Sequence, residues 1–389
     1  MPSNTNDSAN KALLPAGLRD VLPPEAAFES DVVSTLIACF VSHGYARVRP
    51  PLIEFEESLL GAAGAATASE TFRLMDPVSQ RMMGLRSDIT VQVARIATTR
   101  LGNAPRPLRL CYAGQVLRVK GTQLRPERQF GQAGVELIGS DAVAADAELV
   151  MLAVEALEDL GLGGLSVDLN MPTLVPAVCA EFGIGDGVPS RLRAALDHKD
   201  ATAVAAEGGE AASTLGALLE AAGPAEKALA ALHGLALPGA AAAERDRLTE
   251  GVEHLRGQAP AIKLTIDPVE HRGFEYHTGM CFTLFAGTVH GELGRGGRYL
   301  AGADVNDSGG EPATGFTLFM DTVLRALPRP EAARRLFLPA GTPASEGARL
   351  RGDGWVTVSG LDEVADVPAE ARRLECSHAL VQGKIVSVT

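Results

Sequence analysis

No uninterrupted apolar run in this chain reaches the ~18–20 residues needed to cross a bilayer as a helix, so a membrane-spanning role is not expected. Residues 1–11 are polar and rich in Asn and Ser. They lack the charged n-region and apolar stretch of a secretory signal, so export is not expected either. Five cysteines (Cys39, Cys111, Cys179, Cys281, Cys376) are scattered without a CxxC pair or a Cys/His cluster, which argues against a zinc finger or a disulfide framework. A reduced, cytoplasmic protein is the expectation. Clusters of four or more Lys or Arg are also absent, and the formal net charge is −13. Binding nucleic acid by phosphate neutralisation needs a basic face, so tRNA is not expected as a partner. The densest basic stretches are residues 118–128 and 325–335.

What is present is a core-forming composition. With 389 residues, 46% of them hydrophobic, the chain can bury two or three domains. In residues 26–43, apolar side chains at Val32, Val33, Leu36, Ile37, Phe40 and Val41 have helical spacing with one buried face. Gly44 ends that helix, and residues 45–49 alternate as a strand does until Pro50 and Pro51 stop it. A hairpin is expected from 71–75 and 82–86 around the turn 76–79. A helix follows at 89–99, strands at 108–120 and 129–138, a helix at 142–160 and a short strand at 166–169.

Residues 172–261 are rich in Ala and Leu, and the spacing of Leu215, Leu218, Leu219, Leu229 and Leu232 predicts a packed helical insertion. Strand character returns at 261–267 and 280–285. The cluster Gly294-Arg-Gly-Gly-Arg298 reads as a tight turn, and residues 313–327 as strand then helix. After Pro328-Arg-Pro330, residues 331–389 make a small tail with strand-like pieces at 355–359, 380–382 and 384–389. The expected organisation is a core from 1–171 and 262–330, a helical insertion at 172–261 and a small C-terminal domain at 331–389.

Five blocks, in order, carry a family resemblance. They are Leu14-Pro-Ala-Gly-Leu-Arg-Asp20; Leu85-Arg-Ser-Asp-Ile-Thr90; Tyr112 through Arg118 to Gln129-Phe-Gly-Gln-Ala-Gly-Val-Glu136; His271-Arg-Gly-Phe-Glu-Tyr-His-Thr-Gly279; and Gly296-Gly-Arg-Tyr299. Over roughly residues 12–327 the chain resembles the catalytic core of histidyl-tRNA synthetase. The resemblance implies an α+β fold: a class II aminoacyl-tRNA synthetase-like antiparallel sheet flanked by helices, with the helical insertion and a small C-terminal α/β tail. It also implies an amino-acid pocket. Asp88, Thr90 and Gln132 match positions that hold the α-ammonium, and Glu136 an acidic position reaching the same pocket. Arg118 and Arg272 match residues near the substrate carboxylate, and Tyr276 and His277 the tyrosine pair that reads the imidazole. A carboxylate, a hydroxyl and an amide are the acceptors an ammonium needs.

Each residue also has a plainer local reading. Asp88 suits a helix N-cap and Thr90 a first-turn position. Arg118 suits a strand cation that pairs or snorkels. Gln132 and Glu136 share one strand face, Arg272 suits a surface turn, and Tyr276 a core aromatic.

Departures from the family pattern point away from catalysis. Where the family has Gly-Phe-x-x-Gly-x-Glu-Arg, this chain has Gly315-Phe-Thr-Leu-Phe-Met-Asp-Thr322, so Thr322 replaces the arginine that clamps ATP phosphates. Lys120 stands where a carboxylate contacts adenine, and Pro126 lies in a loop that is usually basic. Losing one such arginine costs on the order of 10³-fold in rate. The tail is also shorter than the family's anticodon-binding domain.

The combination resembles the synthetase-like regulatory subunits of ATP phosphoribosyltransferase. That implies no cofactor, a short-form catalytic subunit as partner, self-association as a dimer within a hetero-octamer, and free histidine as the sensed ligand in the first step of histidine biosynthesis. An active histidyl-tRNA synthetase with a divergent third motif and an RNA-binding module on the synthetase core stay open as alternatives.

Overall fold

A computed structural model describes residues 14–59, 68–121, 125–184, 187–271, 273, 276–302, 309–328 and 333–388. Arg272, one of the expected pocket residues, lies outside them. The chain divides into two compact units, 1–328 and 329–389.

The strands of the first unit are β1 (Ala46–Arg47), β2 (Ile53–Phe55), β3 (Arg73–Met75), β4 (Met82–Leu85), β5 (Leu108–Leu117), β6 (Gln129–Ile138), β7 (Leu165–Asn170), β8 (Gly223–Pro224), β9 (Lys263–Ile266), β10 (Cys281–Ala286), β11 (Gly294–Ala301) and β12 (Glu311–Phe319). Its helices are α1 (Glu25–Ser42), α2 (Glu56–Leu59), α3 (Thr90–Thr99), α4 (Val143–Asp159), α5 (Leu174–Glu181), α6 (Ser190–Asp197), α7 (Ala201–Glu207), α8 (Ala212–Glu220), α9 (Ala225–His233), α10 (Gly239–Gln258) and α11 (Met320–Ala326). A nine-stranded sheet runs β1-β5-β6-β12-β11-β10-β7-β9-β8, and a three-stranded sheet runs β2-β4-β3. The large sheet is antiparallel through its middle, as expected. The pairs β1/β5 and β7/β9 are parallel, an arrangement the sequence did not signal because their strands are joined only through long excursions.

Two helices cover one face. In α1 the buried residues Val32, Leu36, Ile37, Cys39 and Phe40 keep the helical spacing. In α4 Leu149, Val150, Leu152, Ala153, Val154 and Leu157 are all buried. At ~1.5–3 kcal/mol per large apolar side chain, this seam contributes much of the core energy. Phe40 meets Phe316 edge to face, with centroids 5.6 Å apart, tying α1 to β12. The expected leucines of the insertion pack as helices: Leu215, Leu218 and Leu232 are fully buried, and Leu219 and Leu229 are half-buried against them. Asp200 caps α7 by accepting from Ala203 N–H at 2.9 Å. The β3–β4 turn is held by the Asp76 carboxylate, which accepts from the backbone of Val78 and Ser79 at 3.1 Å each.

One local expectation is corrected. The Gly294–Arg298 cluster is not a turn but the greater part of β11, paired to β10 on one side and β12 on the other. The glycines are there for close strand packing. A Cβ on Gly296 would lie 2.6 Å from Phe316 Cβ and closer still to the Gly315 carbonyl. A glycine run looks like a turn when neighbours are unknown, but here tertiary crowding selects it.

The second unit holds β13 (Arg335–Leu338), α12 (Ala344–Gly352), β14 (Val356–Ser359), α13 (Val367–Arg373), β15 (His378–Val381) and β16 (Lys384–Ser387). Its sheet order is β14-β13-β15-β16. The first three strands are parallel, and β15/β16 is an antiparallel hairpin. The last three strands fall where the tail looked strand-like. The sequence reading did not place β13 or the two helices.

Candidate functional site

β6 and β12 are neighbours at the centre of the large sheet, and Glu136 lies opposite Gly315, which in turn lies opposite Gly297 on β11. Where three side chains would meet there is only one, so a hollow opens above the sheet. The cavity holds about 290 Å³, close to the lower end for small-molecule sites. Asp88, Thr90, Arg118, Glu136, Tyr276 and His277, all singled out from the sequence, line it together. Gln132 does not. It stands behind Asp88, donating from Nε2 to Asp88 Oδ2 at 2.9 Å and accepting the Ile89 N–H at Oε1, 3.1 Å away.

The wall carrying Asp88 and Thr90 is fixed from below. Arg86 is buried and donates to the carbonyls of Gln115 (2.8 Å) and Pro50 (3.1 Å). Asp88 Oδ1 accepts the Thr90 N–H at 2.8 Å, an Asx-type bond one residue ahead of α3, whose N-cap is Ile89 and carries no side-chain cap; the expected N-cap role of Asp88 is corrected. Each carboxylate oxygen spends one lone pair on these bonds and keeps another for a ligand donor. Asp88 therefore orders the entry to α3 and faces the pocket at once.

Glu136 is fully buried. Its Oε2 accepts from the Tyr299 hydroxyl at 2.8 Å and its Oε1 from the Tyr112 hydroxyl at 3.3 Å. Tyr112 Oη also lies 2.7 Å from Thr317 Oγ1 and 3.2 Å from Thr90 Oγ1. Burial pushes the Glu136 carboxyl up to about 8, and the Asp88 charge adds to that push; the hydroxyl donors only partly oppose it. Burial likewise raises the hydroxyls of Tyr112, Tyr276 and Tyr299, which act as neutral donors at ordinary pH. Tyr276 stacks on His277 with centroids 4.1 Å apart and meets Tyr299 edge to face at 6.2 Å.

Arg118 Nε stands 3.3 Å from Glu70 Oε2. Glu70, Arg295, Tyr299 and Thr317 also line the cavity, and the sequence reading assigned none of them a role. Tyr299 lay within a quoted block, and Arg295 within the glycine run taken for a turn. Glu70 carried no local signal. The result is a small chamber with carboxyl groups at Asp88 and Glu136, guanidinium groups at Arg118 and Arg295, and flat rings between. That arrangement suits a small zwitterion bearing a planar group.

Beside it lies a second cavity of about 360 Å³, sharing Arg118 and Arg295 and reaching Lys120, Arg125, Glu127, Glu292 and Thr322. Its cations are offset by the chain's own acids. Arg125 Nε donates to Asp321 Oδ2 at 3.0 Å, and the guanidinium lies 4.0 Å from the Phe319 ring centroid and 5.1 Å from that of Phe130. Arg325 is also within 3.7 Å of Asp321. Burial opposes the Arg125 charge, and Asp321 and Glu292 sustain it.

The glycine floor gives a sharp test. A Cβ on Gly315 would fall directly on Glu136 Oε2. Gly315→Ala is expected to lower stability by about 1–3 kcal/mol through overpacking and to displace the carboxylate. Denaturant unfolding compared with Gly216→Ala, where a new Cβ meets nothing within 4 Å, checks this.

The histidyl-tRNA synthetase family model matches residues 17–323. Among solved structures, one described as an ATP phosphoribosyltransferase regulatory subunit/histidyl-tRNA synthetase from Bacillus halodurans superposes with a TM-score of 0.78 at 24% identity, covering 93% of this chain and 96% of that one. A histidyl-tRNA synthetase from Nostoc gives 0.76 at 17%, covering 95% and 91%. At these identities the two show the fold. Curated relatives carry more. The ATP phosphoribosyltransferase regulatory subunit of Paramagnetospirillum magneticum is 64% identical over 98% of this chain and 99% of its own length. That of Rhodospirillum centenum is 59% identical over 98% and 97%. With a synthetase fold throughout its core, relatives this similar over nearly full length, and a carboxylate pairing the arginine beside its pocket, the chain belongs to the family of ATP phosphoribosyltransferase regulatory subunits.

Proposed function

We propose that this chain is the non-catalytic subunit of a two-component ATP phosphoribosyltransferase, that its cavity takes free histidine, and that histidine there regulates a short catalytic partner. The observation that carries the reading is the contrast between the two cavities. The first offers carboxylates, cations and rings to an amino acid. In the second, Arg125 is committed to Asp321 and Phe319, and Thr322 stands where the synthetase pattern has its clamp. Adenylate formation needs cations free to meet developing phosphate charge.

In this reading the ammonium of histidine meets Asp88 and Thr90, with Gln132 positioning Asp88. Arg118 and Arg272 face its carboxylate. Glu136 reaches into the same pocket beside the ammonium, and Tyr276 and His277 face the ring. The transferase chemistry belongs to the partner, and the chain works as a dimer within a hetero-octamer, without tRNA. Inhibition then requires that histidine bind two states of the complex with different affinity. The five cysteines are free and buried, which suits the reducing cytoplasm. No described helix is long and apolar enough to cross a membrane. We also assign the core to 1–171 and 262–330, the insertion to 172–261 and the C-terminal domain to 331–389.

Calorimetry decides the ligand. The chain, alone or with its catalytic partner, is expected to bind histidine, and Arg272→Ala to weaken binding 10–100-fold, the worth of a charge-assisted carboxylate contact of roughly 1.5–3 kcal/mol. Equal affinity for both proteins would move the inhibitor site elsewhere. Histidine-dependent ATP–pyrophosphate exchange at ordinary synthetase rates would return the active-synthetase reading. Light scattering at micromolar concentration should show more than a monomer.

A further inference from the structure

Away from both cavities, the C-terminal ends of α1 and α4 lie side by side. One presents Cys39 and His43 and the other Glu155 and Asp159, each pair four residues apart and so on one helix face. Cys39 Sγ, a His43 ring nitrogen and a Glu155 carboxylate oxygen all lie within 4.8 Å of one another. Cys39 is buried, whereas His43 and Glu155 are exposed.

The geometry around His43 is specific. Its Nδ1 is 3.0 Å from the Cys39 carbonyl, to which an Nδ1–H donates. That bond leaves Nε2 with its lone pair outward, 3.3 Å from Glu155 Oε2. Two lone pairs at that distance need a cation between them, either a proton or a metal. In a tetrahedral site with bonds of ~2.0–2.1 Å to nitrogen and oxygen, neighbouring ligand atoms stand about 3.3 Å apart. A ring N–H donated to a backbone carbonyl is also how metal-binding histidines are usually oriented. Burial pushes the Cys39 thiol up, and the negative charges of Asp159 and Glu155 add to that push. Glu148, which also feels His43, is engaged by Arg109 at 2.7 and 2.8 Å and by the Tyr45 hydroxyl at 2.8 Å.

We propose that Cys39, His43 and Glu155, with water in the fourth position, form a site for a divalent ion of the zinc class that staples the ends of α1 and α4. Thiolate and imidazole select such an ion over magnesium or calcium. On binding, the Cys39 S–H bond breaks, its proton passes to solvent, and the sulfur lone pair goes to the metal, with no change of oxidation state. His43 enters neutral through Nε2 and keeps its Nδ1 proton.

The test uses the full chain stripped with a chelator. Titration with zinc chloride is expected to show one ion per chain, with magnesium chloride giving no heat. Cobalt(II) in its place should give a thiolate-to-metal charge-transfer band. Cys39→Ser and His43→Ala should each weaken zinc by more than about 100-fold, since even an outer-shell partner is worth 10–100-fold. Glu158→Gln, exposed on the same helix, should not. Zinc should raise the unfolding temperature of the parent chain and not of His43→Ala. No saturable uptake, uptake undiminished in His43→Ala, or cobalt binding without the thiolate band would overturn the site. Should Cys39→Ser fail to fold, the exposed His43→Ala decides alone.

Discussion

Replacing Arg298 by alanine should destabilise the core unit by about 3–5 kcal/mol, the cost of stranding a buried charge. Arg298 is 3% exposed and Asp146 is 2% exposed. The guanidinium reaches Asp146 at 2.9 and 3.1 Å and donates to the carbonyls of Ser140 (2.8 Å) and Ala142 (3.0 Å), just before α4 begins. Removing it leaves two carbonyls and a carboxylate without their donor. Burial already raises the Asp146 carboxyl, with Arg298 as the chief opposing influence, so the variant should raise it further. Asp146→Asn should cost less, and the double replacement Arg298→Leu with Asp146→Leu should recover much of the loss. Chemical denaturation of the three variants checks this. A loss below about 1 kcal/mol for Arg298→Ala would mean that water replaces the guanidinium freely.

Glu136→Gln should change both ligand binding and the response to pH. The folded carboxyl stands near 8 against an ordinary 4.5. At about 1.4 kcal/mol per pH unit, that difference is worth on the order of 4–5 kcal/mol. Because the folded value is the higher one, this contribution is fully present below about pH 4.5. It is lost progressively as pH rises to about 8. The parent chain should therefore lose stability relative to Glu136→Gln across that window, and denaturation midpoints at pH 5 and pH 8.5 would show it.

Ligand binding follows the same linkage. At pH 7 the empty pocket holds a mostly protonated Glu136, and an incoming ammonium favours its ionised form. Histidine binding should then release a proton and tighten between pH 7 and 8. Calorimetry in two buffers of different ionisation enthalpy should show that release in the parent chain and not in Glu136→Gln. The variant should also bind 10–100-fold more weakly, having lost a charge-assisted contact. Buffer-independent heats in the parent would place the proton elsewhere.

The pocket was legible in the sequence to the extent that residue identity carries chemistry. Asp88, Thr90, Arg118, Glu136, Tyr276 and His277 come from four separated segments, and only their family order gathered them before the sheet did. What sequence could not give was the role of emptiness. Gly297 and Gly315 make the floor because of what stands across from them, and a linear reading sees in β11 only a run of turn formers. Gln132 shows a related limit: its residue type suits a ligand contact, but register sets it behind Asp88. The helix α1 was plain because one apolar face repeats at 3.6 residues. The strand β13 was hard because its four residues lie between two parallel neighbours, which removes the alternation that marks a half-exposed strand.

The position of β12 has a consequence for how the chain is made. β6 pairs with β5 almost at once, since the two are consecutive, but its other edge pairs with β12. Phe319 follows Ile138 by 181 residues (319 − 138). A ribosome adding roughly 5–20 residues per second takes about 9–36 s to cover that distance. Throughout that interval the edge bearing Gln132, Gly134 and Glu136 has no strand beside it, while the helices of the insertion emerge and fold. A bare central edge is an invitation to foreign strands, so nascent chains need shelter longest at the strand that will line the pocket. Any fragment ending before residue 311 lacks the strand that closes it.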